Sequence, residues 1–413
     1  MAKVLPFQAL RPATDYAKDV AALPYDVYSR EEAKEAVKGK PLSFLNIDRP
    51  ETQFEDGHDM YGDDVYKKAD EMIQSFKEKG IFIKDEQKHY YIYELTMNGR
   101  AQNGIVALSS IDDYINGVCK KHENTVAEKE VDRINHVDVT SAQTGPIFLA
   151  YRQKQEISDL VEKVKKEAPL YDFVAEDGVK HTVWIVDDCY NETLIKAFEN
   201  VEATYIADGH HRTASAVKVG LKRREEHPDY TGEEEFNYFL SVLFPDNELY
   251  IMDYNRFVKD LNGLSEKEFF GGLLNVFNVS SSEFGAPERK GIVKMYYAHQ
   301  WYTLTMKEEC LEDRNDPVTS LDVAYLQDLV LTPILGIEDP RVDKRISFIG
   351  GIRGLKELER LVDEKEGSVA FAMYPTSIDE LLAVADAKML MPPKSTWFEP
   401  KLRSGLFIHE IER

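Results

Sequence analysis

The sequence predicts a mixed α/β fold, on three observations. Helical and strand periodicities alternate along the chain rather than falling into separate blocks. A short apolar run, Ala203-Thr204-Tyr205-Ile206-Ala207, turns sharply through Asp208-Gly209 into a helical pattern that starts at Thr213. A hydrophobic content of 43% with 11% aromatics over 413 residues allows two or three packed lobes and excludes a disordered chain.

Pro24-Tyr25-Asp26-Val27 reads as a turn. Residues 62–79 carry helical periodicity, and residues 89–95 and 104–111 read as two strands around Asn98-Gly99, a hairpin dipeptide. Lys121-His122-Glu123-Asn124-Thr125 leads into a charged helix reaching His136. A strand over 146–151, a helix near 156–166 and a hairpin around Asp177-Gly178 follow. After the Asp208 turn come strands near 238–244 and 248–252, and from residue 261 helix and strand alternate to the end. The expected segments are 1–115 at the N-terminus, a core over 116–260, and a C-terminal lobe over 261–413.

Composition removes several function classes. A formal charge of −23 argues against general affinity for nucleic acid or anionic lipid, which needs a basic face. No apolar run reaches membrane-spanning length, and Met1-Ala2-Lys3-Val4-Leu5-Pro6 lacks a secretory apolar region. Three cysteines without close spacing argue against a disulfide framework. The expectation is a cytoplasmic, acidic enzyme or small-ligand protein, with a homodimer left open.

Asp208-Gly209-His210-His211-Arg212 concentrates the chemistry. A strand that turns into a helix leaves the first helical N–H groups unpaired. With the helix dipole, Arg212 and two histidines they make an anion site suited to phosphate. The Asp208 carboxylate belongs beside phosphate mainly when a divalent cation joins the two. The competing reading is a capping Asp in a tight turn with surface histidines. His122-Glu123, at the front of a helix, offers a carboxylate that could be catalytic or could complement the helix dipole. A zinc-protease reading fails because position 126 is valine, where a second histidine is required. Asp132-Arg133 reads as an exposed ion pair or a clamp behind the site. Lys394-Ser395-Thr396, after Pro392-Pro393, is an anion loop or an ordinary polar turn, and Gly350-Gly351 permits close backbone approach. No Walker A, kinase glycine loop or dinucleotide fingerprint is present.

Taken in order, His122-Glu123, Asp208-Gly209-His210-His211-Arg212 and Pro393-Lys394-Ser395-Thr396 resemble the free-serine kinases of the ParB/sulfiredoxin superfamily, which convert L-serine to O-phospho-L-serine. The whole chain, from Pro6-Phe7-Gln8-Ala9-Leu10-Arg11-Pro12 and Pro24-Tyr25-Asp26-Val27 onward, also resembles the DUF1015 proteins. The kinase resemblance implies a ParB/sulfiredoxin-like core with an added N-terminal segment and C-terminal lobe. It implies Glu123 as general base, with His211 also catalytic, and Asp208 as magnesium ligand. Gly209, His210, His211, Arg212, Lys394, Ser395 and Thr396 would hold nucleotide phosphate. His122, Thr125 and Arg133 would support these groups or touch substrate. Mg2+ and ATP or ADP are the implied cofactor and donor, and L-serine or a similar hydroxyl amino acid the acceptor.

The gap between Glu123 and Asp208 is longer than in the compact serine kinases, so an insertion must loop away from the site. Sulfiredoxin chemistry lacks its cysteine, since position 210 is histidine, and DNA partition lacks its basic module. A nucleotide-binding switch protein and a nucleotide hydrolase without an amino-acid acceptor are the alternative functions.

Overall fold

The computed structural model describes residues 1–125, 127–311 and 314–412 and has a mixed α/β architecture. The chain forms two compact units, Met1–Leu249 with Pro400–Arg413, and Tyr250–Glu399.

The first unit is built on a nine-stranded mixed sheet. Its strands in chain order are β1 (Val4–Leu5), β2 (Tyr91–Met97), β3 (Arg100–Ser110), β4 (Cys119–Lys120) and β5 (Ile147–Tyr151). They continue with β6 (Tyr171–Val174), β7 (Lys180–Ile185), β8 (Thr204–Asp208) and β9 (Tyr238–Pro245). The spatial order is β4-β8-β5-β9-β3-β2-β7-β6, with β1 paired to the end of β3. The expected segments 1–115 and 116–260 both feed this sheet, because β3 pairs with β9.

Local chemistry explains the strands. In the β2–β3 hairpin the turn falls at Asn98-Gly99, where φ is 53° and 79°, the left-handed pair a tight hairpin needs. Tyr90, Tyr91, Ile92, Tyr93 and Leu95 are buried, as are Ile105 to Leu108, so the sheet is covered on both faces. Two helices, α3 (Gln155–Val164) and α4 (Asn191–Glu199), supply Ile157, Leu160, Val161, Leu194 and Phe198 to the main core.

A second apolar cluster forms under α1 (Asp63–Glu78). The helix has Asp63 and Asp64 in its first turn, where they complement the dipole, and it buries Val65, Tyr66, Ala69, Ile73 and Phe76 at helical spacing. That face packs with Phe44, Phe82 and Ile408, so the chain's last residues complete this core. His409 and Glu410 pair antiparallel with Gln143 and Ala142. Two further helices, α2 (Ala127–Thr140) and α5 (His210–Glu226), pack against each other and are joined by the Glu130–Lys218 ion pair.

The second unit contains a six-stranded antiparallel sheet running from Tyr254–Val258 to Val369–Ala372, with its own core of Phe257, Tyr296, Trp301, Leu358, Val362 and Ala370. Its first and last residues meet, with Glu399 N–H donating to the Tyr250 carbonyl at 3.2 Å. The strand expected over 248–252 is shorter, Ile251–Met252, because Asp246–Glu248 form a 3-10 turn. Among the described residues no helix is long and apolar enough to cross a membrane.

Candidate active site

Parallel strand pairing assembles the site. β4 runs beside β8 in the same direction, with Thr204 opposite Cys119 and Tyr205 opposite Lys120. Carrying that register past both strand ends brings His122-Glu123 level with Ala207-Asp208. The two motifs, remote in sequence, therefore leave the sheet at the same edge.

β8 ends in an irregularity. Its pairing with β5 shifts between Ile206 and Asp208, a bulge that re-aims the strand end. Gly209 then takes φ 94°, and α5 begins at His210 rather than at the expected Thr213. The left-handed glycine completes the turn in one residue, so His210, His211 and Arg212 form the helix's first turn. Glycine is required there twice over, since a Cβ would also sit 3.1 Å from Arg212 Nε. Thr213 Oγ1 donates to the Gly209 carbonyl at 3.0 Å and fastens the turn.

Asp208 is set by its neighbours. Its Oδ1 accepts the Gly209 N–H at 2.8 Å, and its Oδ2 accepts from Lys401 Nζ at 2.8 Å. Arg212 Nη2 approaches Oδ1 at 3.9 Å, while Arg212 Nη1 donates to the Pro146 carbonyl at 2.5 Å. Arg212 Nε is buried without a hydrogen-bond partner among the described residues. Burial works against the Arg212 charge, and the nearby Asp26 and Asp208 carboxylates favour it. A buried guanidinium with a spare donor at a helix N-terminus is suited to an anion.

The histidines are not surface residues. His122 and His210 are 2% and 7% exposed, with ring centroids 4.6 Å apart in an edge-to-face arrangement. Burial pushes the His122 imidazole down to about 4, against a smaller upward pull from Asp208 and the Ile206 backbone. Burial also holds His210 well below the usual range, and the neighbouring His122 adds to this. Ligand-capable atoms of His122, Glu123 and His210 all lie within 4.8 Å of one another. Glu123 lies on an irregular stretch ahead of α2, which begins at Ala127, so it is not in the helix's first turn as expected.

The remaining expected residues fall into two groups. Thr125 Oγ1 donates to Glu130 Oε2 at 2.6 Å, which ties the stretch after Glu123 to α2. Arg133, expected in an exposed pair, is 6% exposed. It bonds Asp132 Oδ2 through Nε at 2.8 Å and the Asp48 carbonyl through Nη1 at 3.3 Å, with its guanidinium 4.0 Å from the Tyr25 ring centre. Lys394, Ser395 and Thr396 belong to the second unit. There Lys394 has φ 58°, Ser395 Oγ donates to the Pro392 carbonyl at 2.6 Å, and the Ser395 carbonyl accepts from Thr376 Oγ1 at 2.9 Å. These bonds make the segment a built turn.

Two cavities adjoin Tyr25 and Arg133. The smaller, about 30 Å³, is lined by Asp48, Thr144 and Arg212 among others and has room for an ordered water. The larger, about 210 Å³, is lined by Asp26, Arg49, Glu51, Tyr61, Tyr66 and Asp132 along with Tyr25 and Arg133. Sequence reasoning missed Lys401 and the place of the Tyr25-Asp26 turn beside Arg212. Lysine in an acidic chain carries no local signal of its partner. The turn was legible only as a turn.

The fold and site define a mixed α/β protein with an anion-suited strand–glycine–helix turn facing a buried histidine pair. The chain belongs to the DUF1015 family, described as proteins of unknown function, whose profile matches residues 4–324. Among solved structures it is similar to SbnI with a C-terminal truncation from Staphylococcus aureus, at 10% identity and a TM-score of 0.41, covering 74% of this chain and 87% of that one. It is also similar to a variant free serine kinase in complex with ADP, at 14% identity and a TM-score of 0.37, covering 76% and 93%. A conserved hypothetical protein from Pyrococcus furiosus is similar at 15% identity and a TM-score of 0.35, covering 74% and 94%. No curated relative matches the chain.

Proposed function

We propose that this protein is a nucleotide-dependent phosphotransferase whose acceptor is a free hydroxyl amino acid, L-serine first among them. The observation that carries the reading is the convergence of His122-Glu123 on the Asp208–Arg212 turn through the β4–β8 pairing. A carboxylate next to a phosphate-type turn is the minimum that phosphoryl transfer asks of a protein, because the reaction needs positioning and charge neutralisation more than covalent chemistry.

In this reading the acceptor oxygen attacks the terminal phosphorus, the bond to the leaving nucleotide oxygen breaks, and the acceptor proton passes to Glu123. The α5 N-terminus and Arg212 hold phosphate oxygens, with Arg212 Nε as the available donor. The nucleotide's charge would be offset by magnesium bound with it. Asp208 would fit that ion as an oxygen ligand. Lys401, now on Asp208, suits the phosphates themselves.

The 210 Å³ cavity has the size for an amino acid, and its lining beside Tyr25 and Arg133 includes none of Glu123, Asp208 and Arg212. It lies below the roughly 300–1,000 Å³ of drug-sized pockets. Its guanidinium groups, Arg49 and Arg133, are paired with Glu51 and Asp132 of the same lining, so an acceptor would have to exchange with these pairs. Incubation with magnesium, ATP or ADP and a panel of hydroxyl amino acids tests the proposal, with O-phosphoserine the expected product by mass spectrometry. Nucleotide loss without an acceptor would make the protein a hydrolase. Nucleotide binding without turnover would make it a switch protein.

A further inference from the structure

We propose that His122, Glu123 and His210 bind a divalent transition metal ion of the zinc or cobalt class. The site uses two imidazoles and one carboxylate whose ligand atoms lie within 4.8 Å of one another.

The histidines themselves point to a ligand. Nε2 of His210 is buried with no hydrogen-bond partner among the described residues, and the buried His122 ring has only the Ile206 backbone beside it, which leaves at least one of its nitrogens unmet. A buried polar atom left unsatisfied costs on the order of 1–3 kcal/mol, and two such atoms in one cluster call for a partner. A metal ion uses the lone pair of a neutral imidazole and needs no proton there.

The donor set selects the class of metal. Magnesium demands oxygen ligands and keeps several waters, whereas two nitrogens and one carboxylate oxygen match zinc, cobalt and their neighbours. Three donors around a tetrahedral zinc at about 2.0–2.1 Å lie roughly 3.3 Å apart, so capture requires a modest contraction of the side chains. Three protein ligands leave at least one position open for water or substrate oxygen. The parallel register of β4 and β8 holds His122 and His210 together before any ion arrives.

This assignment stands apart from phosphoryl transfer. The two share Glu123, whose carboxylate can give one oxygen to the metal and keep the other for an acceptor proton. The test uses the full chain without nucleotide. Chelator-treated protein titrated with CoCl2 is expected to bind one equivalent and develop visible d–d absorption with imidazole ligation. Zinc is expected to displace the cobalt, and millimolar magnesium to leave it in place. Glu123→Gln and His210→Gln should each weaken cobalt binding at least about tenfold. Circular dichroism and melting without metal identify any variant that fails to fold. Glu123, at an irregular and half-buried position, provides the variant expected to fold normally. Absence of a low-coordinate cobalt spectrum, displacement by magnesium, or an unchanged spectrum in the folded Glu123→Gln protein would each overturn the proposal. None of these outcomes depends on whether serine is phosphorylated.

Discussion

Gly209 and Glu123 show at the scale of single residues how backbone and chemistry divide the work. Gly209 has φ 94°, and a Cβ there would press on Arg212. Gly209→Ala is expected to destabilise the protein by about 1–2 kcal/mol, the cost of a left-handed non-glycine residue, and to loosen nucleotide binding by shifting Arg212. A thermal melt paired with nucleotide titration checks both, and a neutral effect on each would remove the turn from the site. Glu123→Gln keeps size but takes no proton, so turnover should fall by roughly 10²–10⁴ with nucleotide affinity nearly unchanged. Arg212→Ala removes a guanidinium that meets phosphate before and during transfer, so affinity and rate should fall together. Steady-state kinetics beside direct binding separates these patterns. Parallel losses in both variants, with a lowered melting temperature for Glu123→Gln, would return Glu123 to a structural role.

The strand–turn–helix was legible at the scale of elements, because an apolar run, Asp-Gly and a helical pattern sit next to one another in sequence. The Asn98-Gly99 hairpin and the helix at 63–78 were legible for the same reason. The pairing that completes the site was not. β4 is only two residues long, Cys119–Lys120, and so short a strand shows no periodicity to read. Its partner lies far along the chain, and only the parallel register reveals that His122 and His210 touch. The helix start at His210 was missed because one left-handed glycine did the work of a longer turn. Lys394-Ser395-Thr396 was legible as a polar turn after two prolines, and its bonds to Pro392 and Thr376 follow from that.

Sheet burial also sets a pH response at this scale. His181 on β7 lies inside the first unit, and its Nδ1 is 2.7 Å from the Tyr93 hydroxyl. Burial first, and the Arg403 guanidinium second, push its imidazole down to about 3, with Asp177 opposing. The unfolded value is about 6.5, so the unfolded chain binds more protons between the two values. Stability from this group is therefore full above about pH 6.5 and is lost as pH falls toward 3, by at most about 1.4 kcal/mol per pH unit. Burial drives His136 in the same direction. His181→Gln should make the melting temperature less steep in pH between about 4 and 6.5. An unaltered slope would mean that other groups carry the acid sensitivity.

At the scale of the whole molecule, the second unit is an insertion with touching ends. Tyr250 and Glu399 are joined by a backbone hydrogen bond, and the chain resumes in the first unit at Pro400. The nine-stranded sheet and Asp208, Arg212 and Lys401 all belong to the first unit, while Lys394, Ser395 and Thr396 belong to the second. Replacing residues 250–399 by a short glycine linker should therefore leave a protein with a cooperative melt, since each unit has its own core. The same deletion tests the role that the resemblance gives the late anion loop. Hydrogen bonds from charged groups contribute about 1.5–3 kcal/mol each, so losing even one phosphate contact should weaken nucleotide binding roughly tenfold to a hundredfold. Alanine at Lys394 alone, in the full chain, should reproduce most of that loss. If the shortened protein folds and binds nucleotide as tightly as the full chain, Lys394, Ser395 and Thr396 form only a polar turn, and the phosphate site is complete within the first unit.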